Sequence, residues 1–406
     1  MVEIKNPLYD TAAPSTQALH AADHLQVTPD VAAPITVSTI YEYSSASVTA
    51  NNYGPDQRYV YAREGTATTT KAEAALSTLT EGHAVLYGSG LTASLAVLVE
   101  LKPKKIAIGH AYFGVKKVIE QYQGLVPGVQ VVGAECDYAG VDLVWIESPI
   151  NPTGEVLDIE KYALRAHAAG AKLVVDATFA PPPISYPFRQ GADIVVHSAT
   201  KYMGGHSDLL AGVVVAKDTK TAESLRYARY ILGLNAGNLE AWLLLRSLKT
   251  LPVRITQQSA TAKRIVALLE SHRRLAVHTA CHTPSAEQTS VGKAIHGVQH
   301  ASLQQICPPF DVARQHPHGF GAVFAVNFRS KEQALFVARH LKLHAFATSL
   351  GGVESLVDWR HGWDVTAEPT LLRVSVGLES YEDLAADWKQ ALLALDDHER
   401  KQAAKL

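Results

Sequence analysis

Residues 192–212 read Ala192-Asp-Ile-Val-Val-His-Ser198-Ala199-Thr200-Lys201-Tyr-Met-Gly-Gly-His-Ser-Asp-Leu-Leu-Ala-Gly212. The β-branched run from Ile194 to Val196 has the composition of a buried strand. The strand delivers a serine, a threonine and a lysine to its end, ahead of the turn-forming pair Gly204-Gly205. A solvated loop lysine is the plain alternative for Lys201, but surface lysines seldom follow a buried strand and precede Gly-Gly. Upstream, a second buried run, Leu173-Val-Val-Asp176, ends in an acid. A lysine and an acid at the ends of two neighbouring strands suit one cofactor chemistry. The lysine holds an aldehyde cofactor as a Schiff base, and the acid keeps the cofactor's pyridine nitrogen protonated.

The residue types follow from that chemistry. Pyridoxal 5'-phosphate acts as an electron sink, and its ring nitrogen must stay cationic to draw electrons from a substrate carbanion. A buried carboxylate such as Asp176 meets that need. Lys201, once displaced by an amino-acid substrate, becomes an amine able to move protons. The hydroxyls of Ser198 and Thr200 can hydrogen-bond the cofactor phosphate.

Outward from this stretch, apolar strand-like runs alternate with helical patterns from about residue 58 to 255. Strands are expected at His83 to Tyr87, Lys105 to Ile108, Leu143 to Ile146, Leu173 to Val175, Ile194 to Val196 and Val213 to Val215. Helices are expected at Thr70 to Thr80, Thr92 to Leu101 and Ile159 to Ala169. The pattern is that of an α/β domain with a doubly wound, mostly parallel sheet. Residues 1–57, rich in Thr, Ser, Pro and Ala, read as an N-terminal arm. Ile35 to Tyr41 has strand composition within it. Thr256 to His272 reads as a long connecting helix, and residues 256–406 as a smaller α+β C-terminal domain.

The chain has 406 residues, room for two or three domains. Its net charge of −2 gives no reason to expect nucleic acid or an anionic membrane as partner. Three cysteines without a close pair argue against a disulfide framework and suit a reducing compartment. The N-terminus shows no signal core, and no long apolar stretch suggests a membrane span, so a soluble cytoplasmic protein is the expectation. Eighteen histidines include His278, His282, His296, His300, His316 and His318, some at metal-like spacing. Without nearby acids or cysteines they are expected to hold no metal.

Other segments carry chemistry. Tyr87-Gly88-Ser89-Gly90-Leu91-Thr92-Ala93 follows a strand and opens a helix, where backbone N–H groups bind phosphate well. Gly88-x-Gly90-x-x-Ala93 also satisfies a loose dinucleotide fingerprint, but the next strand, Lys105 to Ile108, ends without the required acid. An arginine inside a β-branched strand, Arg373 in Leu372-Arg-Val-Ser-Val376, needs a partner there, which favours function over filler.

Ser198-Ala-Thr-Lys201-Tyr-x-Gly-Gly-His-Ser-Asp208 resembles the lysine signature of the Cys/Met-metabolism family of pyridoxal phosphate enzymes. That family includes cystathionine γ-synthase, the cystathionine lyases and O-acetylhomoserine sulfhydrylase. The resemblance runs from about Ala32 to Ala386 and implies a fold-type I enzyme. It implies that Gly90 and Leu91 hold the phosphate and that Tyr112, in Ala111-Tyr-Phe-Gly114, stacks on the cofactor ring. Tyr61-Ala-Arg63 is similar to a segment whose tyrosine and arginine reach a neighbouring subunit's phosphate, which implies a homotetramer of active-site-sharing dimers. Glu147-Ser-Pro-Ile-Asn151-Pro implies that Asn151 contacts the cofactor's phenolic oxygen. Asp176 and Thr178 match the family, while Ala177 replaces its common asparagine. Arg373 corresponds to the arginine that grips the substrate carboxylate, and Ser349-Leu-Gly-Gly352 to a loop lining the substrate site.

Two departures fall where the substrate's far end should sit. Thr348 stands where many members place an acid, and Val357-Asp-Trp-Arg360-His-Gly-Trp-Asp364 replaces the usual Pro and Met-Thr-His run. The resemblance implies γ-substitution on an activated homoserine, such as an O-acyl ester, through a vinylglycine ketimine. Lys201, Tyr112 and Tyr61 would serve in catalysis, and Arg373, Ser349 and Asn151 in substrate binding. The nucleophile stays open among cysteine, another thiol and a carbon acid. β- or γ-elimination and cofactor binding without catalysis are the alternatives.

Overall fold

Seven strands build the sheet to which Lys201 is attached, in a computed structural model that describes residues 9–26, 28–43, 59–277, 292–305 and 310–405. They are β1 (His83–Tyr87), β2 (Lys105–Ile108), β3 (Gln130–Gly133), β4 (Leu143–Glu147), β5 (Lys172–Asp176), β6 (Ile194–His197) and β7 (Gly212–Ala216). Their order is β1-β7-β6-β5-β4-β2-β3. β3, β2, β4, β5 and β6 pair in parallel, and β7 runs antiparallel to both β6 and β1. β1 therefore points the same way as the parallel set. All six end at one edge, where β7 begins. This is the α/β, doubly wound arrangement expected from the alternating pattern.

The central strands are apolar along most of their length because helices cover both faces. Leu143, Val144, Trp145 and Ile146 of β4 are wholly buried. The helices of this unit include α2 (Ala67–Leu79), α3 (Gly90–Leu101), α4 (Phe113–Leu125), α5 (Ile159–Ala168), α6 (Thr219–Leu232) and α7 (Asn238–Leu248). α3 places Ala93, Ala96 and Val97 in one cluster with Val85, Tyr87, Val214 and Leu225. α2 is buried almost all round and carries a charge inward. Its Glu73 accepts hydrogen bonds from the Leu86 N–H at 3.0 Å, from Arg226 Nε at 3.2 Å and from Arg229 Nη1. Burial alone would raise the Glu73 pKa, but the two guanidinium groups and the Leu86 amide reverse that and hold it low.

The chain forms two compact units: Met1–Glu147 with Asp158–Val253, and Ser148–Leu157 with Arg254–Leu406. The second unit has a five-stranded sheet of β8 (Ile295–Gln299), β9 (Val323–Phe328), β10 (Ala345–Phe346), β11 (Leu356–Asp358) and β12 (Leu371–Ser375) in the order β10-β11-β12-β9-β8. Helix α8 (Leu251–Val277) carries the chain into it, and Lys331–His340 and Tyr381–Ala403 are helical. No helix among the described residues is long and apolar enough to cross a membrane.

Two features differ from the sequence reading. Within the expected N-terminal arm, Pro14–His20 forms helix α1 and packs on α2. Pro14 presets the first turn, and Ala18, Ala21 and Leu25 find apolar cover. Ile35 to Tyr41 yields one bridge, Ile40 to Tyr61, and no longer strand; residues 44–57 lie outside the described residues. Residues 148–157, read as part of the 58–255 domain, join the second unit. Gln304 bonds both the N–H and the carbonyl of Val156, at 2.7 and 3.0 Å, and Gln315 donates to the Leu157 carbonyl at 2.9 Å.

Candidate functional site

In the first unit, sequence-expected cofactor residues converge at the edge where the parallel strands end. Asp176 closes β5, pairing across to Glu147 of β4 and Val196 of β6. Its carboxylate is buried, and burial pushes its pKa up. Thr178 works against that rise by donating from its N–H at 3.0 Å and its hydroxyl at 2.6 Å. Both bonds fall on Oδ1, and no described residue donates to Oδ2. The same threonine hydroxyl accepts the Ser198 N–H at 2.8 Å. Thr178 thus ties the acid of β5 to the loop after β6.

That loop holds Lys201. Its N–H donates to the Ser198 carbonyl at 3.1 Å, and Gly205 N–H donates to the Lys201 carbonyl at 2.7 Å. The following Tyr202 and Met203 are buried, which anchors the turn while Lys201 itself is half-buried. The Ser198 hydroxyl makes no hydrogen bond within the described residues. Thr200 differs: its hydroxyl donates to the Ala211 carbonyl at 3.2 Å and accepts the Ala211 N–H at 3.1 Å. Its proton is therefore engaged on the protein's own backbone.

The start of α3 lies against Ser198. Ser89 caps the helix by accepting the Thr92 N–H at 3.1 Å. A methyl group built on Gly90 would come within 3.0 Å of Ser198 Cβ and 3.2 Å of its Oγ. The first N–H groups of a helix lack intrahelical acceptors, so Gly90 and Leu91 present donors beside the Ser198 hydroxyl. Gly212, opening β7, is packed against the same turn, and a side chain there would lie 2.0 Å from the Ser89 carbonyl. Tyr112 caps α4 and is partly exposed. A side chain on Gly114 would collide with both the Tyr112 ring and Leu91, so this glycine lets the ring lean toward the α3 start.

A pyridoxal phosphate fits this donor set. A buried carboxylate raised by desolvation gains most from a cationic N–H beside it. A helix N-terminus with an adjacent unpartnered hydroxyl suits a phosphate. Tyr61 and Arg63 stand as a separate exposed pair. The Arg63 guanidinium lies 5.4 Å from the Tyr61 ring centre and 4.9 Å from that of Tyr230. Asn235 fixes the Arg63 carbonyl at 2.6 Å.

The second unit holds the expected substrate residues. Arg373 of β12 is buried, and its Nη1 donates to Asn151 Oδ1 at 3.1 Å. Its Nη2 donates to the Ser349 carbonyl at 2.9 Å and to Asp358 Oδ2 at 2.8 Å. Ser349 has φ of 84°, a left-handed conformation that costs energy in a residue with a side chain. Its loop is pinned by Ser375, which accepts the Gly351 N–H, by Gln258, which donates to the Gly352 carbonyl, and by Glu379, which accepts from Ser355. Sequence reading missed the partner role of Asp358, which stands directly across the β11–β12 pair from Arg373. An acid closing a buried apolar strand next to a buried arginine was the available signal.

Among the histidines of the loop-rich segment, His300 and His316 are buried and His278 and His282 lie outside the described residues. A cavity of about 200 Å³ in the first unit, lined partly by Lys71, Trp242, Arg246 and Lys249, includes none of the site residues.

The family described as Cys/Met metabolism PLP-dependent enzyme matches residues 15–393. Cystathionine gamma-lyase of Saccharomyces cerevisiae is 33% identical over 414 residues, covering 93% of this chain and 96% of its own. Cystathionine gamma-synthase of Mycobacterium bovis is 31% identical, covering 94% and 97%. Among solved structures, cystathionine gamma synthase from Xanthomonas oryzae pv. oryzae in complex with cystathionine aligns with a TM-score of 0.81 at 28% identity, covering 95% and 99%.

Proposed function

This chain belongs to the Cys/Met metabolism family of pyridoxal phosphate-dependent enzymes, and from that premise we propose that it catalyses γ-substitution on an O-acyl-L-homoserine, with a thiol such as cysteine as nucleophile. When bound, the cofactor supplies an electron sink for charge developing at the substrate Cα. Asp176 holds a proton on the ring nitrogen, positioned by the two Thr178 bonds. Ser198 and the Gly90 and Leu91 amides would hold the phosphate, and Tyr112 would offer its ring face to the cofactor. Lys201 would hold the cofactor, and its free amine would serve to move protons at the substrate Cα and Cβ. Arg373 holds the substrate carboxylate and so decides which Cα bond is aligned for cleavage. Asn151 and the Ser349 carbonyl keep the guanidinium in place. Tyr61 and Arg63 serve a neighbouring subunit in a homotetramer of two site-sharing dimers; their exposure within one protomer supports this.

The observation that carries substitution over elimination is Thr348, exposed beside Ser349 where an acid is frequent in the family. A lyase acting on cystathionine must accept a distal ammonium, which a carboxylate would hold. A threonine offers no charge there, and an acyl ester needs none; cysteine as nucleophile would bring the same ammonium, so Thr348 bears on the choice of amino-acid substrate and not on the nucleophile. The competing reading, elimination, is favoured by the similarity to the yeast gamma-lyase.

Mass spectrometry of products from O-acetyl-L-homoserine, with and without cysteine, tests this reading. The expected result is a new thioether only when cysteine is present. Release of 2-oxobutyrate regardless of cysteine would exclude cysteine as the nucleophile and leave elimination or substitution by another thiol or a carbon acid, and no reaction would overturn the choice of substrate.

A further inference from the structure

We infer that Arg360 is a positioning residue that keeps Arg373 attractive to a carboxylate by offsetting the charge of Asp358; this rests on the reading of Arg373 as the carboxylate-holding group. Asp358 and Arg373 face each other in the β11–β12 pair, with Arg373 Nη2 2.8 Å from Asp358 Oδ2. Arg360 follows two residues after Asp358, at the start of a short 3₁₀ turn, Arg360–Gly362. Its Nη1 lies 3.3 Å from the same Oδ2. The three side chains are 3%, 4% and 7% exposed for Arg373, Asp358 and Arg360, so water screens their charges poorly.

The charge balance makes the case. An arginine already matched to a buried carboxylate presents no net charge to a second carboxylate, and Asp358 would repel an incoming one. The second guanidinium changes that sum. Two arginines on one aspartate oxygen leave a net charge of one positive unit, which a single substrate carboxylate would neutralise. The Arg360 side chain makes no other hydrogen bond to a described residue, so Asp358 is its one polar anchor. Asp358 accordingly fixes the geometry of Arg373 from across the sheet, while Arg360 supplies the cation that this fixing would otherwise consume. The segment containing Arg360 is one of the two places where the sequence departs from its family's usual pattern, so the device belongs to this chain.

Titration of the holoenzyme with L-alanine and with L-alaninamide, followed by the cofactor's visible absorbance, tests this directly. The two probes differ in whether they carry a carboxylate. Arg360→Gln is expected to weaken L-alanine binding about ten- to hundredfold and to leave L-alaninamide within about threefold. Asp358→Asn added to Arg360→Gln restores the net positive charge, so it is expected to recover most of the lost L-alanine affinity. Arg360→Lys, which keeps the charge, is expected to stay near the parent and guards against a variant that fails to fold. The inference is overturned if Arg360→Gln leaves the ratio of the two affinities unchanged, or if the double variant does not recover it. Arg373→Ala distinguishes the two layers. If it leaves the preference for L-alanine intact, the reading of Arg373 itself fails, whatever Arg360 does.

Discussion

Thr178 shows how one hydroxyl can set the properties of a neighbour. It donates to Asp176, accepts from the Ser198 amide, and so joins the ends of β5 and β6. Thr178→Val removes a charge-assisted bond to a buried carboxylate, a loss of about 1.5–3 kcal/mol. Apo-protein carrying it is expected to bind pyridoxal phosphate roughly ten- to hundredfold more weakly, measured by absorbance titration. Asp176 should titrate higher still in that variant, since burial raises it and one opposing bond is gone. In the sequence, Asp176 stands out because it closes a β-branched run, and Lys201 because its Ser-Ala-Thr-Lys segment follows one. The sequence did not reveal that the Thr200 hydroxyl is engaged with Ala211, because that contact spans a loop whose path no local pattern encodes.

Among the elements, α2 departs furthest from an ordinary amphipathic helix. Alanines let it pack closely, and Glu73 enters the interior to meet Arg229 and Arg226 of α6. Glu73→Gln leaves Arg229 buried without its counter-charge, and removing one partner of such a pair costs about 3–5 kcal/mol. A clear drop in the urea midpoint is expected. Replacing Glu73 with leucine and Arg229 with methionine together should cost less than the two single changes summed, since the fully buried charge leaves with its partner and only the partly exposed Arg226 loses its counter-charge. Strand and helix positions were largely readable from apolar spacing. Helix α1 was not, because its seven residues carry little periodicity and owe their order to packing on α2.

At the scale of the whole molecule, three buried histidines make stability depend on pH. Burial pushes His197, His300 and His316 down to about 4, from an ordinary value of 6.5. The unfolded chain therefore takes up protons first as pH falls, and stability declines from about pH 6.5 until the folded pKa is reached near 4. Each contributes up to roughly 3 kcal/mol over that window. Neither ring nitrogen of His316 has a partner among the described residues, so His316→Phe is expected to cost little at pH 7.5. It should shallow the fall of the urea midpoint between pH 6.5 and 4.5, and an unchanged slope would count against this account. A change of pattern near residue 255 was readable in the sequence, but the allegiance of residues 148–157 to the second unit was not. Their partners lie 148, 158 and 222 positions further along, at Gln304, Gln315 and Arg373. That arrangement has a consequence for biosynthesis. The ribosome releases this strip long before Gln304, Gln315 and Arg373 exist, so the nascent chain must carry it hydrated by water, without these protein partners, until most of the polypeptide has emerged. Cutting the gene after residue 253 would sever the strip from its unit: the N-terminal fragment would keep the whole first unit with the strip attached, and the C-terminal fragment would lack part of the second.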